Sequence, residues 1–245
     1  LLCPPLDFEF DHPPNVLVIS PRDRIEILRT FVLRPNLSLD EMAAIEGRAE
    51  KLGFSALLEG IGGLATYPSI IPETATLDSV LSTAAHEWLH QYLFFRPLGR
   101  GYWDSYEMAT INETVANMAG KEIGSLVLSR YYGKERAKRE PSEFDEEMRA
   151  IRLAVDQYLE KGQIEEAEQF MEQKRQLLAS KGYYIRKLNQ AYFAFHGSYA
   201  DTPASVSPIG DELKKLREHS ASLGKFIKTV AQVSCREELK GLVGK

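Results

Sequence analysis

The sequence predicts an α+β chain that is predominantly helical. A small β-containing N-terminal lobe spans residues 1–72 and a helical C-terminal lobe spans residues 73–245. Three observations predict it. Two extended stretches, Asn15 to Ser20 and Gly60 to Ile71, fall before residue 72. From Leu77 almost to the end, apolar positions recur at helical spacing, punctuated by Pro97, Gly99, Gly162 and Gly182. Hydrophobic residues make up 44% of the 245, enough to bury a real core.

The elements follow in order. Residues 1–15 are proline-rich and read as irregular. Asn15 to Ser20 is short, branched and flanked by prolines, which predicts a buried strand. Arg22 to Leu33 reads as a helix, with Ile25, Ile27, Leu28, Phe31 and Val32 apolar. Ser38 is positioned as an N-cap with Glu41 completing a capping box, and that helix runs to Gly53. Glycines at 60, 62 and 63 feed an extended segment in which Pro68 lacks a ladder donor, so an edge strand is expected. Helices are predicted over 77–95, 105–132, 142–161, 164–180, 183–196 and 209–230, with a short one from 236 and a loop over 97–102. Residues 142–180 read as an antiparallel helical pair, too short for a solenoid.

The net charge of −5 carries no basic excess, so nucleic acid is not an expected partner. A local basic cluster, Lys134, Arg136, Lys138 and Arg139, is followed by Glu140, Glu143, Asp145 and Glu146 and reads as a solvated face. Cys3 and Cys235 lie at opposite ends and form no metal-binding spacing, so a disulfide and two free thiols are both open. No apolar run reaches the ~20 residues that span a bilayer. Leu1-Leu2-Cys3-Pro4-Pro5 fits the remnant of an upstream hydrophobic segment that tethers the chain to a membrane, and equally an arbitrary boundary; Leu2 does not fit a lipoprotein box. Compartment and oligomeric state stay open.

Chemistry concentrates in His86-Glu87-Trp88-Leu89-His90, an H-E-x-x-H on a predicted helix. Positions i and i+4 share a helix face, so both imidazoles can reach one ion. Glu87 sits one residue on, where it can take a proton from a water without ligating. The helix is rich in apolar neighbours, and two buried histidines beside a buried glutamate would cost several kcal/mol without a metal. Catalytic zinc takes three protein ligands and leaves one position open. Glu113, in Asn112-Glu113-Thr114-Val115-Ala116-Asn117 on the next predicted helix, is the candidate third ligand. Twenty-two residues lie between His90 and Glu113, room for the first helix to end, turn and return antiparallel.

These two motifs together resemble the gluzincin metallopeptidases, the thermolysin-like and aminopeptidase-like class. A second similarity is to a family of predicted bacterial zinc aminopeptidases. It rests on Asn112-Glu113-Thr114-Val115-Ala116 and on Leu188-Asn189-Gln190-Ala191 followed by Tyr199. The resemblance covers residues 80–117 and implies a zincin-like fold. It implies His86, His90 and Glu113 as Zn2+ ligands and Glu87 as general base. Many gluzincins carry an aspartate four residues after the glutamate ligand, bonded to a zinc histidine. Asn117 stands there and would bond the imidazole without charge.

Water attack on an amide builds an oxyanion that needs a donor besides the metal. Tyr199 and then His196 are the candidates, each also readable as an aromatic packed in the core. Gly63, Leu64 and Ala65 are candidates to grip a peptide as an added strand, as gluzincins do, or form a plain connector. The expectation is a zinc peptidase acting on peptide or protein substrates, exo- or endopeptidase undecided. An aminopeptidase would need an acid for the substrate amine, for which Glu59 and Glu107 are the candidates. The alternatives are an inactive zinc-binding helical scaffold and a zinc hydrolase of a non-peptide amide or ester.

Overall fold

The computed structural model describes residues 4–136 and 140–244. Strand β2 (Asn15–Ser20) is buried along its whole length because it is the middle of a three-stranded antiparallel sheet. Its neighbours are β3 (Arg29–Leu33) and β4 (Ser55–Gly60). Side chains alternate between the faces of the sheet, so its two sides can serve two different cores. Val16, Val18 and Leu57 face the helical part and meet Ala191. Leu17, Ile19, Ala56 and Leu58 pack on α1 (Leu39–Glu50) through Met42 and Ile45. A second sheet pairs β1 (Phe8–Asp11) in parallel with β5 (Ser69–Pro72).

Helix α1 begins as the sequence predicts. The Ser38 hydroxyl accepts from the Glu41 N–H, and Glu41 reaches back to the Ser38 N–H. Its buried residue is Glu46, which accepts from the Leu58 N–H at 2.6 Å and pairs with Arg186 and Lys187. A buried carboxylate is tolerated there because both of its oxygens are satisfied.

Every element after β5 among the described residues is helical. Helix α2 (Leu77–Phe94) is capped by Thr76 and followed by the single turn α3 (Pro97–Arg100). Helix α4 (Tyr106–Tyr132) then runs back along α2, the most extensive contact between any two elements. The pairing is antiparallel: Ser82 lies against Gly124, His86 against Gly120, and His90 against Asn112. Gly120 and Gly124 make this close approach feasible. A Cβ at either would fall 2.8 Å from the Ser82 carbonyl oxygen or 2.5 Å from its hydroxyl. Small residues therefore set how near α4 comes to the motif helix.

Behind this pair, Leu89, Leu93, Ile111 and Val115 are buried with Leu213, Phe226 and Val230. These come from α8 (Ile209–Glu218) and α9 (Leu223–Val230), with α10 (Arg236–Val243) closing the cluster. Helices α5 (Glu143–Glu160) and α6 (Ile164–Ser180) form the expected pair. Their core of Met148, Ile151, Val155, Ala167 and Met171 also takes Phe193 of α7 (Gln190–Gly197), so the pair is built into the body of the protein. No helix among the described residues is long and apolar enough to cross a membrane.

Four expectations need correction. Residues 22–33 are not a helix; only β3 is regular, and Ile25 and Ile27 pack into two different clusters from an irregular segment. Thr30, Phe31 and Val32 suit a strand, and β2 supplies the backbone partner. Residues 8–11 form β1, whose Phe-Glu-Phe-Asp alternation is a period of two. Helix α7 starts at Gln190, not 183, because Arg186 and Lys187 are drawn toward Glu46. The helix predicted over 209–230 is broken at 219–222, where Ser222 caps α9. Gly162 and Gly182 do end helices, with φ of 72° and 90°. Cys235 is exposed, while Cys3, Lys138 and Arg139 lie outside the described residues.

Candidate metal centre

Helix α2 carries His86 and His90 one turn apart, and their rings stand edge to face at 4.7 Å. Their Nε2 atoms are 2.9 Å apart. Glu113 of α4 places Oε2 3.6 Å from the His86 Nε2 and 3.4 Å from the His90 Nε2. Three potential ligand atoms from two helices thus converge, as the motif spacing predicts.

The surroundings test whether a cation belongs there. Glu113 Oε1 accepts from the Tyr102 hydroxyl at 2.6 Å. Glu113 Oε2 is buried and has no hydrogen-bond partner. A buried carboxylate oxygen without a hydrogen bond is costly, and here the imidazoles 3.6 and 3.4 Å away are what offsets it. Here it faces two imidazole nitrogens at ligand spacing, and a shared cation would satisfy all three. The centre of the triangle with edges 2.9, 3.4 and 3.6 Å lies about 1.9 Å from each corner, close to the ~2.0–2.2 Å of metal bonds to imidazole and carboxylate. His86, Glu87 and His90 also group closely enough to hold a metal ion.

His90 is oriented for ligation by its other nitrogen. Its Nδ1 lies 2.9 Å from Asn112 Oδ1, while Asn112 Nδ2 donates to the Leu98 carbonyl at 3.4 Å. The amide oxygen therefore faces the ring and Nδ1 carries a hydrogen, which leaves Nε2 as the nitrogen turned toward Glu113. His90 and Glu113 each set the other's charge. Burial opposes charge on His90, but the nearby Glu113 outweighs it and holds the imidazole up at about 9. Burial likewise opposes charge on Glu113, and the two histidines overcome it and hold its carboxyl well below the usual range. A cation held there would take over the histidines' part in that balance.

Glu87 is buried beside the pair. Burial raises its carboxyl above the ordinary range, the two histidines pull it down, and Glu113 adds to the rise. Gly63 explains where this carboxylate can sit. A Cβ on Gly63 would overlap Glu87 Oε1 and come within 2.7 Å of Thr83 Cγ2. The chain over 62–64 therefore passes directly across the carboxylate. Leu64 is tied to Ile70 by two backbone hydrogen bonds of 3.1 and 3.0 Å. Of Gly63, Leu64 and Ala65, Leu64 alone bridges to Ile70, so the segment is not a regular strand, and all three line the cleft above the histidines.

The structure also brings Tyr199 to this centre. Its ring lies 6.2 Å from that of His86, and the Glu113 charge, then burial, holds its phenol well above its ordinary value. Tyr199 is placed by the loop after α7, pinned to α4 where the Ala200 N–H donates to Thr114 Oγ1 at 2.9 Å. His196 lines the same cleft with its ring against Tyr192 and Phe195, and burial lowers it to about 4. Asn189 and Gln190 of the third motif serve the fold. Asn189 caps α7, and Gln190 donates to the Arg22 carbonyl.

Asn117 is a correction. Its amide donates to both carboxylate oxygens of Asp201, at 2.7 and 2.9 Å, and so is turned toward the α7 loop. The amide that meets the His90 ring is that of Asn112, on the face of α4 turned toward α2 and α3, where it also donates to the Leu98 carbonyl. The acids considered for a substrate amine also lie elsewhere. Glu59 sits on β4 near Arg186 and Glu46, and Glu107 pairs with Arg236 at 3.4 Å. Sequence reasoning missed Tyr102, because a residue in a short connector carries no periodic signal. Asn112 lies inside the same motif as Asn117, and spacing alone does not say which of the two amides meets His90.

All of this opens into one cleft of about 2200 Å³ between the three-stranded sheet and the α2–α4 pair. No family model, curated protein or solved structure matches the chain.

Proposed function

We propose that this chain is a zinc-dependent peptidase with a zincin-like arrangement, in which His86, His90 and Glu113 hold the metal. One observation carries the reading: the orphaned Glu113 Oε2 faces two imidazole nitrogens at the floor of an open cleft. Two histidines and one carboxylate are a zinc donor set that leaves a position for solvent. Zinc, when bound, lowers the pKa of a water molecule and polarises a carbonyl.

The remaining chemistry belongs to the side chains. Glu87, raised by burial, is suited to accept a proton from the attacking water and return it to the leaving amine. Its carboxylate stays aimed because Gly63 and Thr83 leave it little room. Tyr199 stays protonated far above neutral pH, so its O–H is the donor we assign to the oxyanion. Tyr102 and Asn112 orient Glu113 and His90. The backbone of 63–65 is the surface we assign to the substrate main chain.

The test is Glu87→Gln. It should keep full metal content and lose peptide hydrolysis by at least a hundredfold. A metal-loaded Glu87→Gln protein that still cleaves peptides at the wild-type rate would overturn the assignment.

A further inference from the structure

Helix α2 forms the floor of the cleft for most of its length, and the metal centre lies near the middle of that floor. The two ends differ in chemistry. Toward the start of α2, Ser79, Ser82 and Thr83 line the cleft with Asn117 and Lys121 of α4 and with Arg136. Arg136 is held by Asp78 through Nε and Nη2 at 2.9 and 2.7 Å, and by Ser82 Oγ at 2.9 Å. Its Nη1 reaches the Lys121 backbone carbonyl at 3.4 Å, so the guanidinium sits beside the turn of α4 that carries Lys121. Lys121 pairs with Asp201 at 2.8 Å, yet its side chain stays 48% exposed while that of Asp201 is 8% exposed. Neither Asp78 nor Asp201 is among the residues lining the cleft. The positive end of the α2 dipole points the same way.

At the other end, Phe94 and Phe95 close α2, and Trp103 follows the α3 turn. They are 67%, 60% and 78% exposed, and Tyr67 across the cleft is 61% exposed. Four large aromatics this exposed, at one mouth of one cleft, form a surface that water covers poorly. Arg100 and Asp104 also line the cleft, one of each charge.

We propose that the cleft is a directional groove. It seats a substrate carboxylate at the Lys121–Arg136 end and an aromatic or large aliphatic side chain at the Phe94–Trp103 end. This rests on the peptidase reading above for what happens between the ends. Glu113 and Lys121 are eight residues apart on α4, about 12 Å of helix rise. An extended peptide covers that in about three or four residues. The carboxylate is therefore a few residues from the scissile bond, either a free C-terminus or an acidic side chain.

The experiment uses the full-length, zinc-loaded Glu87→Gln protein, which should bind without cleaving. The probes are dye-labelled ten-residue Ala/Gly/Ser peptides with one phenylalanine near one end and a carboxylate near the other. Binding is read by fluorescence polarisation. Free-acid, amidated and internal-glutamate versions separate a C-terminal carboxylate from a side-chain one. A peptide of the same composition with its two features exchanged tests direction.

One order should bind about tenfold more tightly than its reverse. Lys121→Ala and the conservative Arg136→Gln should each remove most of that preference for a carboxylate-bearing peptide and leave the amidated one unchanged. Trp103→Ala should weaken only peptides with the phenylalanine in place. Equal binding of both orders, or equal loss on amidated and acidic peptides, overturns the groove. If wild-type protein cleaves nothing while the directional binding holds, the peptidase reading fails and the groove stands. If it cleaves peptides without either preference, the groove alone fails.

Discussion

Removing one oxygen atom from Tyr102 should loosen the metal without disturbing the fold. Tyr102→Phe keeps the ring, and with it the edge contact to Trp103 at 4.6 Å. What goes is the 2.6 Å bond to Glu113 Oε1. A hydrogen bond to a charged, buried group contributes about 1.5–3 kcal/mol. That energy now holds Glu113 with Oε2 toward the histidines. Its loss frees the carboxylate to rotate and leaves Oε1 as a second buried acceptor without a partner. At 1.4 kcal/mol per decade, metal affinity should fall roughly 10- to 100-fold. Competition against a chromophoric chelator measures this directly, and a melting curve of the metal-free protein checks the fold. An affinity within twofold of wild type, in a protein that melts normally, would refute the idea that Tyr102 orients the ligand.

Other outcomes follow from the same geometry. Asn112→Ala should weaken metal binding roughly 10- to 100-fold, whereas Asn117→Ala should leave it unchanged, since only Asn112 meets the His90 ring; the same chelator competition ranks the pair, and a reversed order contradicts the site. Gly63→Ala should keep the metal but lower kcat about 100-fold, because the new methyl displaces Glu87; unchanged peptide turnover would show that Glu87 has room. Glu46→Gln should cost roughly 2–3 kcal/mol at neutral pH, discounted from a fully buried pair because Arg186 and Lys187 are part-exposed. The Glu46 carboxyl resists burial, but Arg186, the Leu58 N–H and Lys187 hold its pKa below the ordinary 4.5. The stabilisation is therefore complete above about 4.5 and fades as pH falls through the lower folded value. Urea melts of both proteins across pH 3–7 should converge at the acid end, and a constant gap would contradict this.

The helical lobe was legible wherever a side-chain pattern ran for several turns. The 77–94 and 106–132 helices follow from apolar spacing, and α1 from its capping box. The N-terminal lobe was less so. A short branched segment such as 29–33 satisfies helix and strand patterns alike, and its neighbour β2 decides between them. That pairing is non-local and leaves no trace inside the segment. The centre divides the same way. His86, Glu87 and His90 are fixed by spacing on one helix, and Glu113 by the length of the return. Tyr102 depends on how the connector between α3 and α4 folds over α4. Asn112 and Asn117 sit five positions apart on one helix, and only the rotation of α4 against α2, set by Gly120 and Gly124, tells which one meets the histidine.

The most direct measurement is elemental analysis of the chain purified without chelators, beside His86→Ala, His90→Ala and Glu113→Ala. The expected result is one zinc per wild-type chain and a loss in each variant that tracks its weakened affinity. A wild-type protein that carries no transition metal and takes none up when zinc is added would contradict the metal centre. So would a Glu113→Ala protein that binds zinc as tightly as wild type.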